Sequence, residues 1–212
     1  MVNSISPGLF DSGTGRIELD PESCISVESA WMNPEEAQYC FERMRTQVSW
    51  KHEEIIIMGK KILQPRLTAW YGDEKANYTY SGVQNLPLPW FSELGDLRDR
   101  LSAKCGVRFN SALVNLYRSG QDSMGYHSDD EQELGKNPVI ASLSLGASRR
   151  FLLRPRKDNT LPKHNLDLGQ GCLLIMEGAT QHRYKHSVPK TKKEVGERIN
   201  ITFRKVRFEM GS

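Results

Sequence analysis

Arg198-Ile199-Asn200-Ile201-Thr202-Phe203-Arg204 alternates without a break between polar and apolar side chains. A strand sends successive side chains to opposite faces, so Ile199, Ile201 and Phe203 share one face and Arg198, Asn200, Thr202 and Arg204 the other. Two arginines therefore frame two hydrogen-bonding side chains on one surface. They sit about 20 Å apart along the strand, yet long guanidinium arms leaning inward can clamp both ends of a small dicarboxylate. A charged edge strand is the competing reading, but edges usually carry Lys and Glu rather than two Arg framing Asn and Thr. The segment Leu113–Arg118 repeats the device, with Asn115 and Tyr117 on one face and Val114 and Leu116 on the other.

Period two also marks Pro138–Leu145, Arg149–Arg154, Gly171–Glu177 and Arg198–Phe208, with Gly and Asn/Asp between them. Short strands at this spacing without intervening helices predict an antiparallel sandwich or jelly roll. Two helices precede them. The first has Asn33 as N-cap, Pro34 at its first position and Glu36 closing a capping box, then Ala37, Cys40, Phe41, Met44 and Val48 at helical spacing. The second, from about Trp90 to Lys104, carries Trp90, Leu94, Leu97 and Leu101 on one face and ends at Gly106. The fold class is therefore α+β: a double-stranded β core over 108–208, buttressed by N-terminal helices, in one domain spanning 21–212. Residues 50–85 read as hairpins outside that core and residues 1–20 as a flexible arm.

A chain of 212 residues with 38% hydrophobic content and a net charge of +3 has no signature of disorder, and a chain of this size buries about 70% of its unfolded surface without help from disulfides. Its strongest apolar run, Ile55-Ile56-Ile57-Met58, is stopped by Gly59-Lys60-Lys61, far short of a bilayer span. The opening residues lack the basic start and apolar core of a secretory signal. Cys24, Cys40, Cys105 and Cys172 stand far apart, which predicts free thiols and a reducing compartment, cytosol or nucleus.

The densest polar cluster is Tyr126-His127-Ser128-Asp129-Asp130-Glu131. In an extended chain His127 and Asp129 point the same way and can grip one ion. A third ligand must come from elsewhere, and His182 and His186, just beyond the apolar strand Cys172–Met176, are both candidates. Two His and one carboxylate with open positions suit non-haem Fe(II) oxygenases, and zinc hydrolases can use the same set.

Together, Asn115-Leu116-Tyr117, His127-Ser128-Asp129, a distal His186 and Arg198-x-Asn200-x-Thr202-x-Arg204 resemble the Fe(II)/2-oxoglutarate dioxygenases of the AlkB family over roughly residues 50–208. The resemblance selects His186 over His182 and implies a double-stranded β-helix. It implies Fe(II) held by His127, Asp129 and His186, with 2-oxoglutarate held by Asn115, Tyr117, Arg198, Asn200, Thr202 and Arg204. It further implies a reaction that consumes O2 and removes methyl groups from cationic bases such as 1-methyladenine and 3-methylcytosine, releasing formaldehyde, succinate and CO2.

Tyr78 and Tyr80 match the family position whose aromatics stack on a flipped base opposite His127, where a cationic ring gains cation–π stabilisation. Asp130 and Glu131 would accept from its exocyclic amino group and balance its charge. The hairpin around Ile57, Met58 and Gly59 aligns with the one that pushes an apolar finger into duplex, the finger here being Met58 where the duplex-acting enzyme has an aromatic. A core strand is the alternative reading of that segment. Pro65–Gly72 and Met176–Gln181 resemble instead the branch that prefers single strands and RNA. The expected partner is methylated DNA or RNA, handled by a monomer with no membrane association. A non-catalytic module binding modified nucleic acid, or a dioxygenase acting on protein or small molecules, stays open as an alternative.

Overall fold

In the computed structural model, which describes residues 14–57, 60–74, 76, 78–80 and 83–207, the alternating segments become two antiparallel sheets. In chain order the strands are β1 (Thr14–Asp20), β2 (Ser23–Glu28), β3 (Glu54–Ile57), β4 (Lys60–Leu63), β5 (Leu67–Gly72), β6 (Tyr78–Tyr80), β7 (Val83–Asn85), β8 (Ser111–Tyr117), β9 (Met124–His127), β10 (Ile140–Gly146), β11 (Arg149–Pro155), β12 (His164–Leu168), β13 (Cys172–Gly178), β14 (Tyr184–Val188) and β15 (Arg198–Arg204). Helices α1 (Pro34–Gln47) and α2 (Ser92–Cys105) come before β8, and the single turn α3 (Thr180–Arg183) joins β13 to β14. The major sheet runs β1-β2-β13-β10-β15-β8-β5 and the minor sheet β12-β11-β14-β9, while β3-β4 and β6-β7 form separate two-stranded pairs. This is the jelly roll expected from the alternation.

Two apolar layers hold it. On one side of the major sheet, Ala37, Cys40 and Met44 of α1 and Leu94, Leu97 and Leu101 of α2 pack on Val114, Leu143, Ile199, Ile201 and Phe203. Between the sheets, Ile140, Leu174 and Met176 meet Phe151, Leu153, Leu166 and Tyr184. Strand β15 lies in the middle of the major sheet, with β10 and β8 on either side, and all seven of its residues are buried. Its apolar face therefore serves the helix layer, and its polar face points into the space between the sheets.

Helix α1 starts as its cap predicts, with the Glu36 N–H donating to Asn33 Oδ1 at 2.8 Å. The Glu36 carboxylate reaches Arg100 of α2 rather than back to the cap, so it ties the two helices together. Helix α2 begins at Ser92, two residues later than expected, and Trp90 packs ahead of it beneath the guanidinium of Arg98. Gly106 ends it at φ 63°.

Three expectations are corrected. Thr14–Asp20 is not part of a loose arm: Ile17 and Leu19 alternate with polar residues, and the stretch pairs with β2 as an edge strand. Within 50–85 the two hairpins form, but β5 joins the major sheet beside β8. Strands β9, β12 and β14, four or five residues each and half polar, were hidden by their brevity. All four cysteines are free, and among the described residues no helix is long and apolar enough to cross a membrane.

The turn leaving β13 sets the path to β14. Gly178 adopts φ 63°, and a Cβ there would lie 2.2 Å from the Glu22 carbonyl oxygen, which itself accepts from the Ala179 N–H at 2.8 Å. Gly178→Ala should therefore lower stability by about 2–3 kcal/mol through backbone strain and the melting temperature by about 5–10 °C, read by calorimetry against Gly95→Ala, where a Cβ meets nothing within 4 Å.

Candidate active site

His127 closes β9 and His186 lies directly opposite it in β14, their ring centroids 4.2 Å apart. The strand ends at His127, so the next turn is set by side chains. The Asp129 N–H donates to Gln181 Oε1 at 2.9 Å and Ser128 Oγ donates to the Tyr184 carbonyl at 2.8 Å. Asp129 is thereby turned inward, its Oδ1 3.9 Å from His127 Nε2. One ligand atom from each of His127, Asp129 and His186 lies within 4.8 Å of the others. His182 takes no part: its Nε2 accepts from the Asn137 N–H on the outside. Of the two histidines left open by spacing, the fold brings in His186.

The donor set fits a divalent cation. Burial alone would raise Asp129, but Arg204, His186 and His127 together pull its pKa down to about 2. Burial, reinforced by His127, lowers His186 to about 3, and burial also lowers His127. At neutral pH the cluster is one carboxylate and two neutral imidazoles, the protonation state a metal requires. The His127 Nδ1 contact to the Gly125 carbonyl at 3.0 Å places the proton on Nδ1 and leaves Nε2 free to ligate. Phe151 stacks on His186 at 5.2 Å and fixes its plane.

Beside this cluster lies the polar face of β15. Arg198 is 1% exposed. Its Nη2 donates to Ser144 Oγ at 2.9 Å, while its Nε and Nη1 meet no acceptor among the described residues. The Tyr117 ring lies 5.2 Å away. A buried guanidinium with two idle donors is a site for a carboxylate, and it opens on the pocket shared with His127, Asp129 and His186. Asn200 donates to Ser142 Oγ at 2.8 Å, Thr202 Oγ1 donates to Asn200 Oδ1 at 3.2 Å, and Asn115 stands across from Asn200 in β8. Arg204 lines the same pocket, and its Nη2 also donates to Asp129 Oδ1 at 2.9 Å. Of the two arginines, Arg204 is thus paired with the Asp129 carboxylate, while Arg198 keeps two donors for the pocket.

The acidic pair also divides. Glu131 lines the pocket, whereas the Asp130 carboxylate is turned outward onto Arg156. Tyr78 and Tyr80 lie in β6 and Ile57 ends β3, while Met58 and Gly59 fall outside the described residues. Sequence reading missed Arg66, whose Nε donates to Asn115 Oδ1 at 2.8 Å, along with the pocket-lining Gln64, Thr68 and Trp70. The signal was present: along β5, Leu67, Ala69 and Tyr71 face the helix layer, and their alternates Arg66, Thr68 and Trp70 face the pocket.

A family model described as the 2OG-Fe(II) oxygenase superfamily matches residues 25–204. The chain is 41% identical over 211 residues to the human alpha-ketoglutarate-dependent dioxygenase alkB homolog 3, covering 94% of this chain and 73% of the relative. It is 39% identical over 182 residues to the DNA oxidative demethylase ALKBH2 of Bos taurus, covering 81% of this chain and 65% of that one. The solved structure of OsALKBH1 is similar in fold, with a TM-score of 0.61 over 90% of this chain and 100% of that chain at 19% identity.

The Asp129–Arg204 pair has a measurable signature. Its folded pKa lies below the unfolded value, so its stabilisation is complete above pH about 4 and is lost only as pH falls towards 2. Asp129→Asn should lower stability by about 3 kcal/mol by stripping Arg204 of this carboxylate. Mn(II) or Co(II) should raise the melting temperature of the parent protein but not that of Asp129→Asn. Thermal unfolding with and without metal checks both effects.

Proposed function

This chain belongs to the AlkB family within the 2OG-Fe(II) oxygenase superfamily, and we propose that it carries out oxidative demethylation of N-alkylated bases in nucleic acid. It is an Fe(II)- and 2-oxoglutarate-dependent dioxygenase. Bound in the pocket, Fe(II) with O2 and 2-oxoglutarate supplies the oxidising equivalents that hydroxylate the N-methyl carbon, giving succinate and CO2 and then formaldehyde and the free base. The observation that carries this reading is Arg198, a buried cation with two idle donors in the same pocket as a His-Asp-His cluster of the right protonation state.

The protein's own part is binding and orientation. His127, Asp129 and His186 hold the metal, and Arg204 keeps Asp129 ionised. Arg198 takes the remote carboxylate of 2-oxoglutarate, with Asn115, Tyr117, Asn200 and Thr202 completing the polar floor beneath it. Met124, Phe151, Met176 and Val188 wall the pocket with apolar surface, which strengthens each charge contact by excluding water. Glu131 lines the pocket and would favour lesions that carry positive charge, such as 1-methyladenine and 3-methylcytosine. Tyr78 and Tyr80 stack on the base, Asp130 supports the metal loop through Arg156, and Ile57, Met58 and Gly59 address the strand around it. Methylated DNA is the expected substrate, with RNA as the alternative. The expected state is a monomer, and four free thiols fit the cytosol or nucleus.

Formaldehyde and succinate released from oligonucleotides bearing 3-methylcytosine test the function, and His127→Ala should abolish both. Arg198→Gln should weaken 2-oxoglutarate binding about 100-fold, the scale of two charge-assisted hydrogen bonds, as read by titration of the metal-loaded protein.

The two carboxylates after the metal loop should separate cleanly. Glu131→Gln should lower kcat/KM on 3-methylcytosine by about 10-fold or more, in line with 1.5–3 kcal/mol for a hydrogen bond to a charged group. Asp130→Asn, which releases the outward Arg156, should change it by no more than about 3-fold, as expected of a surface ion pair. Equal losses would show that neither carboxylate reads the base.

A further inference from the structure

Gln64 follows β4 at the foot of the first hairpin, and its backbone is pinned on both sides. Its N–H donates to the Glu53 carbonyl at 2.9 Å, and its own carbonyl accepts from His52 Nε2 at 2.8 Å. The side chain is 2% exposed and lines the same pocket as Trp70, His127 and Glu131. Its Nε2 points at Glu53 Oε2, 3.5 Å away. A carboxylate accepts and cannot donate, so Glu53 decides which way round the amide sits and leaves Oε1 directed away from it. That oxygen has no donor among the described residues.

We propose that Gln64, oriented by Glu53, is a specificity residue that accepts a hydrogen bond from the exocyclic amino group of the flipped base. The inference rests on the demethylase reading and narrows its substrate class. N3-methylcytosine and N1-methyladenine present an N–H donor beside the methylated nitrogen, and their positive charge strengthens it. N3-methyluracil and N3-methylthymine present a carbonyl oxygen there instead. Two acceptors would face each other across a buried contact, and such an unmatched pair rejects a ligand more effectively than a missing methylene does. Gln64 thus reads hydrogen-bond polarity, whereas Glu131 reads charge.

The test compares N3-methylcytosine with N3-methyluracil in otherwise identical oligonucleotides, which differ at the 4-substituent and the charge it brings. Gln64→Leu keeps the volume and removes the acceptor. It should reduce the kcat/KM ratio of cytosine over uracil lesion at least tenfold, and should weaken binding of the cytosine-lesion oligonucleotide to metal-free protein in parallel. The exchange Glu53→Gln with Gln64→Glu keeps one amide and one carboxylate in contact, with an acceptor on the pocket side, and should hold the ratio within threefold of the parent. Should Gln64→Leu melt early, Gln64→Met is read the same way. An unchanged ratio in the folded Leu or Met variant overturns the proposal, as does an exchange variant that loses as much as Leu. A parent protein that releases formaldehyde from neither oligonucleotide overturns the demethylase reading and this inference with it.

Discussion

The buried ion pair between Arg204 and Asp129, 2.9 Å long, ties the loop after β9 to the last residue of the central strand β15. Without a cation there, Asp129 would be a carboxylate in an apolar enclosure, driven towards its protonated form. With Arg204 in place it stays ionised, and the two neutral histidines complete a donor set that carries a single negative charge. A buried pair is a poor source of net stability because both charges are desolvated. What it supplies is a defined position for the carboxylate, and the two hydrogen bonds that the same loop donates to Gln181 Oε1 and the Tyr184 carbonyl serve that end.

The placement of that pair follows from a strand with no solvent face. In most two-layer sandwiches the outer side of a sheet is wet and its polar residues point there. Here α1 and α2 cover the outer side of the major sheet, so the apolar residues of β15 turn to the helices and its polar residues turn inward. The space between the sheets is apolar where Leu174 and Met176 meet Leu153 and Leu166. It becomes polar where β15, β8 and β5 expose Arg198, Asn200, Asn115 and Arg66. One alternation pattern repeated in three adjacent strands thus builds both the helix-packing surface and the polar wall of the pocket.

Hydrogen-bond capacity is left unspent on the walls of this pocket. Arg198 offers donors at its depth and Gln64 offers an acceptor near the first hairpin. Most buried polar groups in proteins find partners within the chain. Groups that do not, on a wall shared with a metal-competent cluster, mark where a ligand completes the structure. The two groups differ in sign, which suits an anionic cosubstrate and an amino-bearing base.

The sequence by itself determined the alternating strands, both helices with their caps, the i, i+2 pair His127 and Asp129 and the polar face of β15, because each of these is a local pattern that a strand or helix geometry converts directly into direction. The resemblance to a family then singled out His186. Local pattern could not say that β15 is central, since centrality depends on β8 and β10, which lie far away in the chain. Nor could it say that Thr14–Asp20 finds a partner in β2, or that β5 leaves the hairpin region for the sheet. The roles of adjacent residues were equally closed to it: Asp130 and Glu131 differ by one position, and only the placement of Arg156 turns one outward while the other lines the pocket. The same holds for Arg204, whose partner Asp129 is 75 residues away, and for Gln64, whose meaning comes from the direction in which Glu53 sets its amide. Tertiary structure decided these points because a side chain's partner is fixed by packing across sheets, and spacing along one strand carries no record of what lies opposite.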